Sequence, residues 1–219
     1  MNRTYHHGNL RAALVEAGVA LARDGGPSAV VLRAVSRRAE VSHNAAYRHF
    51  TSHGDLLAAV ASSCMERLGQ LMISRTAAVG PDDPVPRAWA RLEAIGLAYL
   101  DFARTEPGWF RTAFAGAAPG TPKRVDPHVT DPHVTDRQVT DPHVTDPGAD
   151  PYALLAARLD ELVDVGAIPA DRRPGAEYAA WSAVHGLSSL LVDGPLRDLP
   201  DAEVRLAART VLAVISRGL

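Results

Sequence analysis

The stretch SHNAAYRHF at residues 42–50 concentrates side chains that can hydrogen-bond to nucleic acid. His43 and Asn44 could contact base edges, where an asparagine amide is suited to adenine. Tyr47 and Arg48 can donate to phosphate oxygens, and an arginine can also reach guanine. The chemistry that these residue types offer is therefore the recognition of a base sequence and of the charged backbone that carries it.

Three short helices are predicted to position this stretch. The first has apolar residues at helical spacing and ends at DGGP, residues 24–27, and the second places Leu32, Val35 and Ala39 on one face. Ser42 is a good N-cap for the third, because its hydroxyl can accept a hydrogen bond from a free backbone N–H. Two helices joined by a tight turn predict a helix-turn-helix, whose second helix lies in the major groove.

The other side of the third helix is apolar and predicts its anchor. Val41, Ala46 and Phe50 would pack against the first two helices, and a large apolar side chain stabilises by roughly 1.5–3 kcal/mol when it is fully buried. Helical spacing alone leaves the role of the polar side open. Tyr47 could be a core aromatic, and surface arginines are usually only solvated.

Charge is unevenly divided along the chain. Residues 1–53 hold seven arginines and three acidic residues, whereas the remainder holds 16 basic and 22 acidic residues. A basic segment on an acidic body indicates a polyanion partner for the first part only. The lone Cys64, the lack of a signal-peptide pattern and the lack of an apolar run near 20 residues predict a cytoplasmic protein with no membrane partner.

The remaining sequence predicts further helices and no β-strand. Apolar and aromatic residues recur at helical spacing after residue 55, and turns rich in proline and glycine separate the helical segments. We expect an all-α protein with an N-terminal three-helix DNA-binding domain at 1–53. A larger C-terminal helical bundle would follow at 54–219.

A five-residue repeat, DPHVTDPHVTDRQVTDPHVT, occupies residues 126–145. A proline at almost every fifth position forbids a helix, so a flexible loop is predicted at about 117–150. Asp and His in the repeat raise the alternatives of weak metal capture or a partner-binding loop. A metal site, however, needs ligands that converge from an ordered frame, and we predict no metal and no cofactor.

Catalytic signatures are missing from the sequence. It contains no glycine-rich phosphate loop, Cys-x-x-Cys pair, His-Glu-x-x-His or Gly-x-Ser-x-Gly. We therefore expect no enzyme. A metal-dependent hydrolase that uses the repeat and His185, and an architectural or partner-binding helical protein, are the competing hypotheses.

The run LRAVSRRAEVSHNAAYRHFTSHGDLLAAVA resembles the DNA-binding signature of TetR-family transcriptional regulators, over residues 8–60 or so. The sequence WSAVHG at 181–186 resembles a Trp-x-x-x-His-Gly element of one class of C-terminal domains in this family. The resemblance implies that the DNA contacts are Arg33, Ser42, His43, Asn44, Tyr47, Arg48, His49 and His53.

Three positions depart from the family pattern. His53 replaces a phosphate-gripping lysine, and a neutral imidazole holds phosphate less strongly. Glu40 replaces the usual turn glycine, so we expect a residue other than glycine at positive φ. Val31 replaces a capping Thr or Ser, which predicts a weaker start for the second helix.

The resemblance also implies a homodimer on a palindromic operator and a small-molecule effector, most simply a repressor released by that effector. Candidate residues for the ligand pocket are Trp89, Tyr99, Phe102, Trp109, Phe110, Phe114, Tyr178, Trp181 and His185, although such aromatics are more often core. The final helix has a wide apolar face that favours a dimer interface. Its candidate residues are Val204, Ala207, Ala208, Val211, Leu212 and Ile215.

Overall fold

The computed structural model describes residues 7–80, 83–115 and 149–219. Over these ranges the chain forms α-helices and no β-strand, which confirms the predicted all-α class. The helices are α1 His7–Gly25, α2 Leu32–Arg38, α3 His43–Tyr47, α4 His53–Ala77, α5 Pro84–Thr105, α6 Pro107–Ala113, α7 Pro151–Asp164, α8 Ala176–Val192 and α9 Asp201–Gly218. Short 3-10 turns lie at Pro27–Ala29 and Ala170–Arg172.

Helices α1, α2 and α3 pack into a small bundle at the N-terminal end of α4. Leu14, Val30 and Val35 are buried at its centre. Gly18 allows α1 to lie close to α4, since a Cβ at this position would come within 2.5 Å of Val60 Cγ2. The bundle therefore rests on the first half of α4 as well as on its own core.

A capping box fixes the start of α4. The Ser52 hydroxyl accepts a hydrogen bond from the Asp55 N–H at 3.0 Å, and the Asp55 carboxylate accepts one from the Ser52 N–H at 3.0 Å. This reciprocal pair satisfies two backbone donors that a helix N-terminus otherwise leaves free. Within the described ranges, α4 is the one helix long and apolar enough to span a bilayer by length and composition, and half of its most apolar window is buried inside the protein.

Helices α5 to α9 form the larger bundle around the second half of α4. Helices α5, α6 and α7 each have a proline in the first turn. Proline has no backbone N–H, and the N–H groups of a first turn have no partner within the helix, so proline costs no hydrogen bond there. One apolar cluster runs without interruption from Leu14 in α1 to Leu212 in α9. The predicted domain boundary between residues 53 and 54 does not coincide with a gap in this core. The boundary stays a prediction.

The predicted flexible segment at about 117–150 lies outside the described residues, except for its last two. Ala149 is buried, and its carbonyl oxygen lies so close to α4 that a Cβ on Gly69 would be only 1.7 Å away. Asp150 caps α7 by accepting a hydrogen bond from the Tyr152 N–H at 3.1 Å. These two residues belong to the fixed frame of the bundle.

Candidate nucleic-acid interface and ligand cavity

Helix α3 presents an uninterrupted polar face to solvent. Tyr47 is 50% exposed, and His43, Asn44 and Arg48 are exposed as well. The rings of His43 and Tyr47 meet edge to face, with centroids 4.6 Å apart. His49 is half-buried. The side chains predicted to read bases and those predicted to contact phosphate therefore share one surface.

The turn between α2 and α3 is held by its backbone. Glu40 has φ 55°, which confirms the predicted positive φ. The Val41 N–H donates to the Ser36 carbonyl at 3.0 Å. The Ser42 hydroxyl then accepts from the Ala45 N–H at 3.2 Å, so the predicted N-cap is confirmed. These bonds fix the angle at which α3 leaves α2.

The apolar side of α3 is anchored as predicted. Ala46 is fully buried and Phe50 is 1% exposed, while Val41 is half-buried. The Arg11 guanidinium lies over the Phe50 ring, 4.8 Å from its centroid. The helix itself ends at Tyr47 with Arg48 as its C-cap, so Phe50 packs from the turn that follows and not from the helix.

Further basic side chains flank this surface on α2 and α4. Arg33 is exposed in the first turn of α2, and Val31 at the N-cap makes no side-chain cap, as predicted. Sequence reasoning did not assign Arg37 and Arg38, which are exposed in the last turn of α2. Their signal was the pair of adjacent arginines immediately before the turn. His53, the first residue of α4, is exposed.

A cavity lies between α4, α5, α7, α8 and α9 in the larger bundle. Its empty volume is about 470 Å³, part of which is open to solvent. Its lining is mostly apolar, as in ordinary small-molecule sites. The lining residues are Met72, Leu92, Glu93, Ile95, Gly96, Tyr99, Leu155, Ala180, Trp181, Val184, Leu212, Ile215 and Ser216.

An aromatic cluster continues inward from the cavity wall. Tyr99 and Trp181 meet edge to face at 5.3 Å, and His185 lies 5.5 Å from Phe110 and 4.6 Å from Phe114, between ring centroids. Tyr99 Oη and His185 Nδ1 are 2.8 Å apart, a hydrogen bond. Burial lowers the pKa of His185 and raises the pKa of Tyr99 above its usual value, so this pair is uncharged at neutral pH.

Four of the nine predicted pocket residues lie away from this cluster. Trp89 is half-buried but lines no part of the cavity, and Tyr178 is 66% exposed on α8. Phe102 and Trp109 stack with centroids 6.3 Å apart on an open groove between α1, α4, α5 and α6. All nine were predicted together on the strength of their residue types. These four side chains, however, lie on helix faces that do not point towards the cavity.

Trp109 belongs instead to a junction between α6 and α1. Its indole N–H donates to the Val19 carbonyl at 2.8 Å. The Arg23 guanidinium binds both oxygens of Glu106, at 2.7 and 2.5 Å. A Cβ on Gly108 would come within 2.2 Å of backbone carbonyl oxygens of α1, so only glycine permits this approach. Helix α6 thus meets α1 with its backbone in direct contact.

The six residues predicted for a dimer interface mostly face the interior of their own subunit. Val204, Ala208 and Leu212 are buried, and Ile215 lines the cavity with Leu212. Within the subunit, α9 packs this face on α5 and α8, and a role of these residues in a dimer interface stays a prediction. Ala207 and Val211 are half-buried at its edge.

The described part of the chain holds no group of three or more His, Cys, Asp or Glu side chains arranged to bind a metal. Cys64 is buried, and its burial raises the pKa of the thiol to about 12. A thiol with so high a pKa is not a nucleophile at neutral pH.

Comparisons with known proteins agree with this architecture. Residues 14–60 match the family described as bacterial regulatory proteins of the tetR family, and residues 92–214 match the family described as the tetracyclin repressor-like C-terminal domain. The search of curated proteins gave no match.

Three solved structures illustrate the likeness of fold. A protein with unknown function from Rhodococcus sp. RHA1 is 24% identical, with a TM-score of 0.70 over 100% of this chain and 99% of that one. A TetR variant from Acinetobacter baumannii AYE, in complex with minocycline, is 16% identical, with a TM-score of 0.58 over 94% of each chain. A TetR family regulator from Marinobacter aquaeolei VT8 is 17% identical, with a TM-score of 0.56 over 94% of this chain and 95% of that one.

The C-terminal match alone spans more than half of the chain, and the N-terminal match covers the helix-turn-helix. The protein therefore belongs to the TetR family of transcriptional regulators, which are non-enzymatic DNA-binding proteins that act as dimers.

Proposed function

We propose that this protein is a cytoplasmic, homodimeric repressor that leaves its palindromic operator when a small molecule occupies the cavity. The observation that supports this most strongly is the double contact of α6. Trp109 of α6 bonds to α1 of the DNA-binding domain, while Phe110 of the same helix and Phe114 at its C-cap pack on His185 beside the cavity. One seven-residue helix thus touches both the candidate reading domain and the candidate effector site.

DNA recognition is assigned to the exposed side of α3. His43 and Asn44 lie at the start of the helix, where base edges come within reach of a helix in the major groove. Tyr47, Arg48 and His49 follow on the side that would meet phosphates or, for Arg48, guanine.

The flanking helices add phosphate contacts in this proposal. Arg33 lies beside the N-terminus of α2, and the Ser42 hydroxyl and His53 lie at the N-terminal ends of α3 and α4, which favour anions. Arg37 and Arg38 widen the basic surface, and they form no ion pair with any residue in the described ranges. We expect His53 to contribute least, because it replaces the phosphate-gripping lysine of the family pattern.

The dimer surface is assigned to the outer faces of α8 and α9. Tyr178 and Leu190 on α8 are 66% and 43% exposed, and Leu206 and Val214 on α9 are 57% and 62% exposed. Ser182 and Gly186 lie between Tyr178 and Leu190 at intervals of four residues, on the same face of α8. Because both residues are small, another helix could approach this face closely. Two copies that pair these faces would present two α3 helices to the two halves of a palindrome.

Release from DNA is a two-state change in this proposal. The effector binds more tightly to the arrangement in which the two α3 helices are wrongly spaced, and it therefore draws the population away from DNA. The coupling would run through α4, which underlies both domains, and through the α6–α1 junction.

Selection of bound duplexes from a randomised pool, followed by a gel shift, tests this function. We expect a palindromic sequence that the protein binds specifically. Leu206→Glu with Val214→Glu should give a monomer by light scattering and weaken binding to the full palindrome far more than binding to a half-site. No sequence preference in the selected pool, or a dimer that survives both substitutions, would contradict the proposal.

A further inference from the structure

The cavity walls are apolar along almost their whole length. Among the residues that line it, Leu92, Ile95, Leu155, Val184 and Ile215 provide aliphatic surface, and Trp181 provides an aromatic face. Burial of apolar area drives binding in such a site. The effector must therefore have a largely apolar body, and the charges around the cavity decide what polar group that body can carry.

Among the described residues that line the cavity, Glu93 is the only carboxylate, and none is a lysine or an arginine. Its side chain is exposed and forms no ion pair with residues that the structure describes. The nearest arginine along α5, Arg91, is occupied by Glu161, with Nη1 and Oε1 2.6 Å apart. A carboxylate without a partner thus stands at the edge of an apolar cavity.

The remaining polar groups offer no positive charge. The Ser216 hydroxyl donates to the Leu212 carbonyl at 3.0 Å. The Tyr99 hydroxyl has one O–H proton, and the neutral His185 ring has one N–H proton. One of these two protons forms the hydrogen bond between the two side chains. The pair can therefore give one donor and one acceptor, but no charge, because burial lowers the pKa of His185.

Resting on the proposed function, we infer that the effector is a lipophilic organic cation, whose apolar body fills the cavity and whose charge lies at its edge beside Glu93. The carboxylate attracts that charge, while Trp181 and Tyr99 in the same lining offer aromatic surface to the apolar body. An anionic effector of the same shape would lose its hydration and meet Glu93 with no basic group to compensate it.

Three probes with one naphthalene body test this inference by calorimetry on the full-length protein. They are 2-naphthylmethylammonium, 2-naphthylmethanol and 2-naphthoate. We expect the ammonium to bind about fivefold more tightly than the alcohol, from the strength of a partly exposed ion pair with Glu93. The carboxylate should bind more weakly than both.

Matched variants identify the cause of this order. Glu93→Gln keeps the shape of the side chain and should bring the affinity for the ammonium down to that for the alcohol, while the affinity for the alcohol changes by less than twofold. Glu203→Gln removes another exposed carboxylate, on the first turn of α9, and should change neither affinity. Trp181→Leu should weaken the ammonium and the alcohol alike.

Equal affinities for the three probes, no measurable binding of any of them, or an unchanged preference in Glu93→Gln would each overturn the inference. None of these results affects the specific binding of operator DNA by the unliganded protein. Loss of the proposed function would instead be seen as the absence of a selected operator, whatever the probes do.

Discussion

The indole N–H of Trp109 donates to the main-chain carbonyl of Val19, with Nε1 and the oxygen 2.8 Å apart, and so joins the sixth helix to the first. Two arginines flank the ring, since the guanidinium carbons of Arg23 and Arg67 lie 5.1 and 5.0 Å from its centroid. Because the Val19 carbonyl is on α1, a shift of α6 must either move α1 or break this bond. The contact joins the cavity side of the protein to its helix-turn-helix, beside the Arg23–Glu106 ion pair and the close approach at Gly108.

Trp109→Phe should weaken that connection without removing its aromatic surface. We expect the free energy of unfolding to fall by about 1 kcal/mol, the usual net value of one hydrogen bond, as measured by urea denaturation. Operator binding should become less sensitive to a cavity ligand. Trp89→Phe is the matched control, since Trp89 is half-buried and lies outside both the junction and the cavity. An equal loss of ligand response in both variants would argue against a role for the junction.

Tyr47→Ala and Arg48→Ala should each weaken binding to the selected operator by about tenfold or more, the usual effect of losing one specific DNA contact. Both side chains are exposed, so the melting temperature should stay nearly constant. Fluorescence anisotropy with a labelled duplex measures the affinity. Arg75→Ala, which removes an exposed arginine near the other end of α4, is the control and should leave the affinity unchanged. Full affinity in both α3 variants would remove the reading role assigned to α3.

Glu40→Gly tests the strained turn between α2 and α3. A residue other than glycine is disfavoured at φ 55°. Glycine at this position removes a strain penalty of roughly 1–2 kcal/mol from the folded state. It also raises the entropy of the unfolded chain, which lowers stability by up to about 1 kcal/mol. We therefore expect a stabilisation of up to about 1 kcal/mol in urea denaturation. Ala58→Gly, at an exposed position inside α4, should instead destabilise by about 1 kcal/mol. Destabilisation by both substitutions would show that Glu40 is not strained.

The half-buried imidazole of His185 predicts a loss of stability in acid. Burial lowers its folded-state pKa below the usual 6.5. Between that lowered value and about 6.5, the unfolded chain binds a proton that the folded protein does not, so stability rises with pH in this window and falls on acidification. His185→Asn should show a smaller loss between pH 7.5 and 5.5 in parallel urea titrations. Identical losses in the two proteins would mean that His185 is not held neutral by the fold.

Local chemistry in the N-terminal helices could be predicted from sequence because neighbouring residues determine it. The Ser42 cap and the positive φ of Glu40 depend on atoms within a few positions along the chain. The burial of Ala46 and Phe50 follows from the two-faced pattern of the same stretch. The extent of α3 was less certain, since Phe50 keeps its place in the core from a turn beyond the helix end.

The partners of aromatic residues could not be predicted in this way. Periodicity indicates that Trp109 faces inward, but its position on α6 lets it meet α1, a helix some 90 residues away in sequence. In α9, residues at helical spacing fall on two apolar stripes. The inner one, with Val204 and Leu212, completes the subunit core, whereas Leu206 and Val214 remain outside. Only tertiary packing separates the two stripes.

The most direct test of the central claim is to measure the operator dissociation constant with and without a saturating cavity ligand. A ligand counts as bound in the cavity when it binds the Trp181→Leu variant more weakly than the natural protein. Any compound that stabilises the protein in a thermal-shift screen and meets this criterion serves, whatever its charge. We expect such a ligand to weaken operator binding by about fivefold or more, the lower end of ordinary allosteric coupling, and Trp109→Phe to reduce this effect. A ligand that saturates the cavity and leaves the operator affinity unchanged would contradict it.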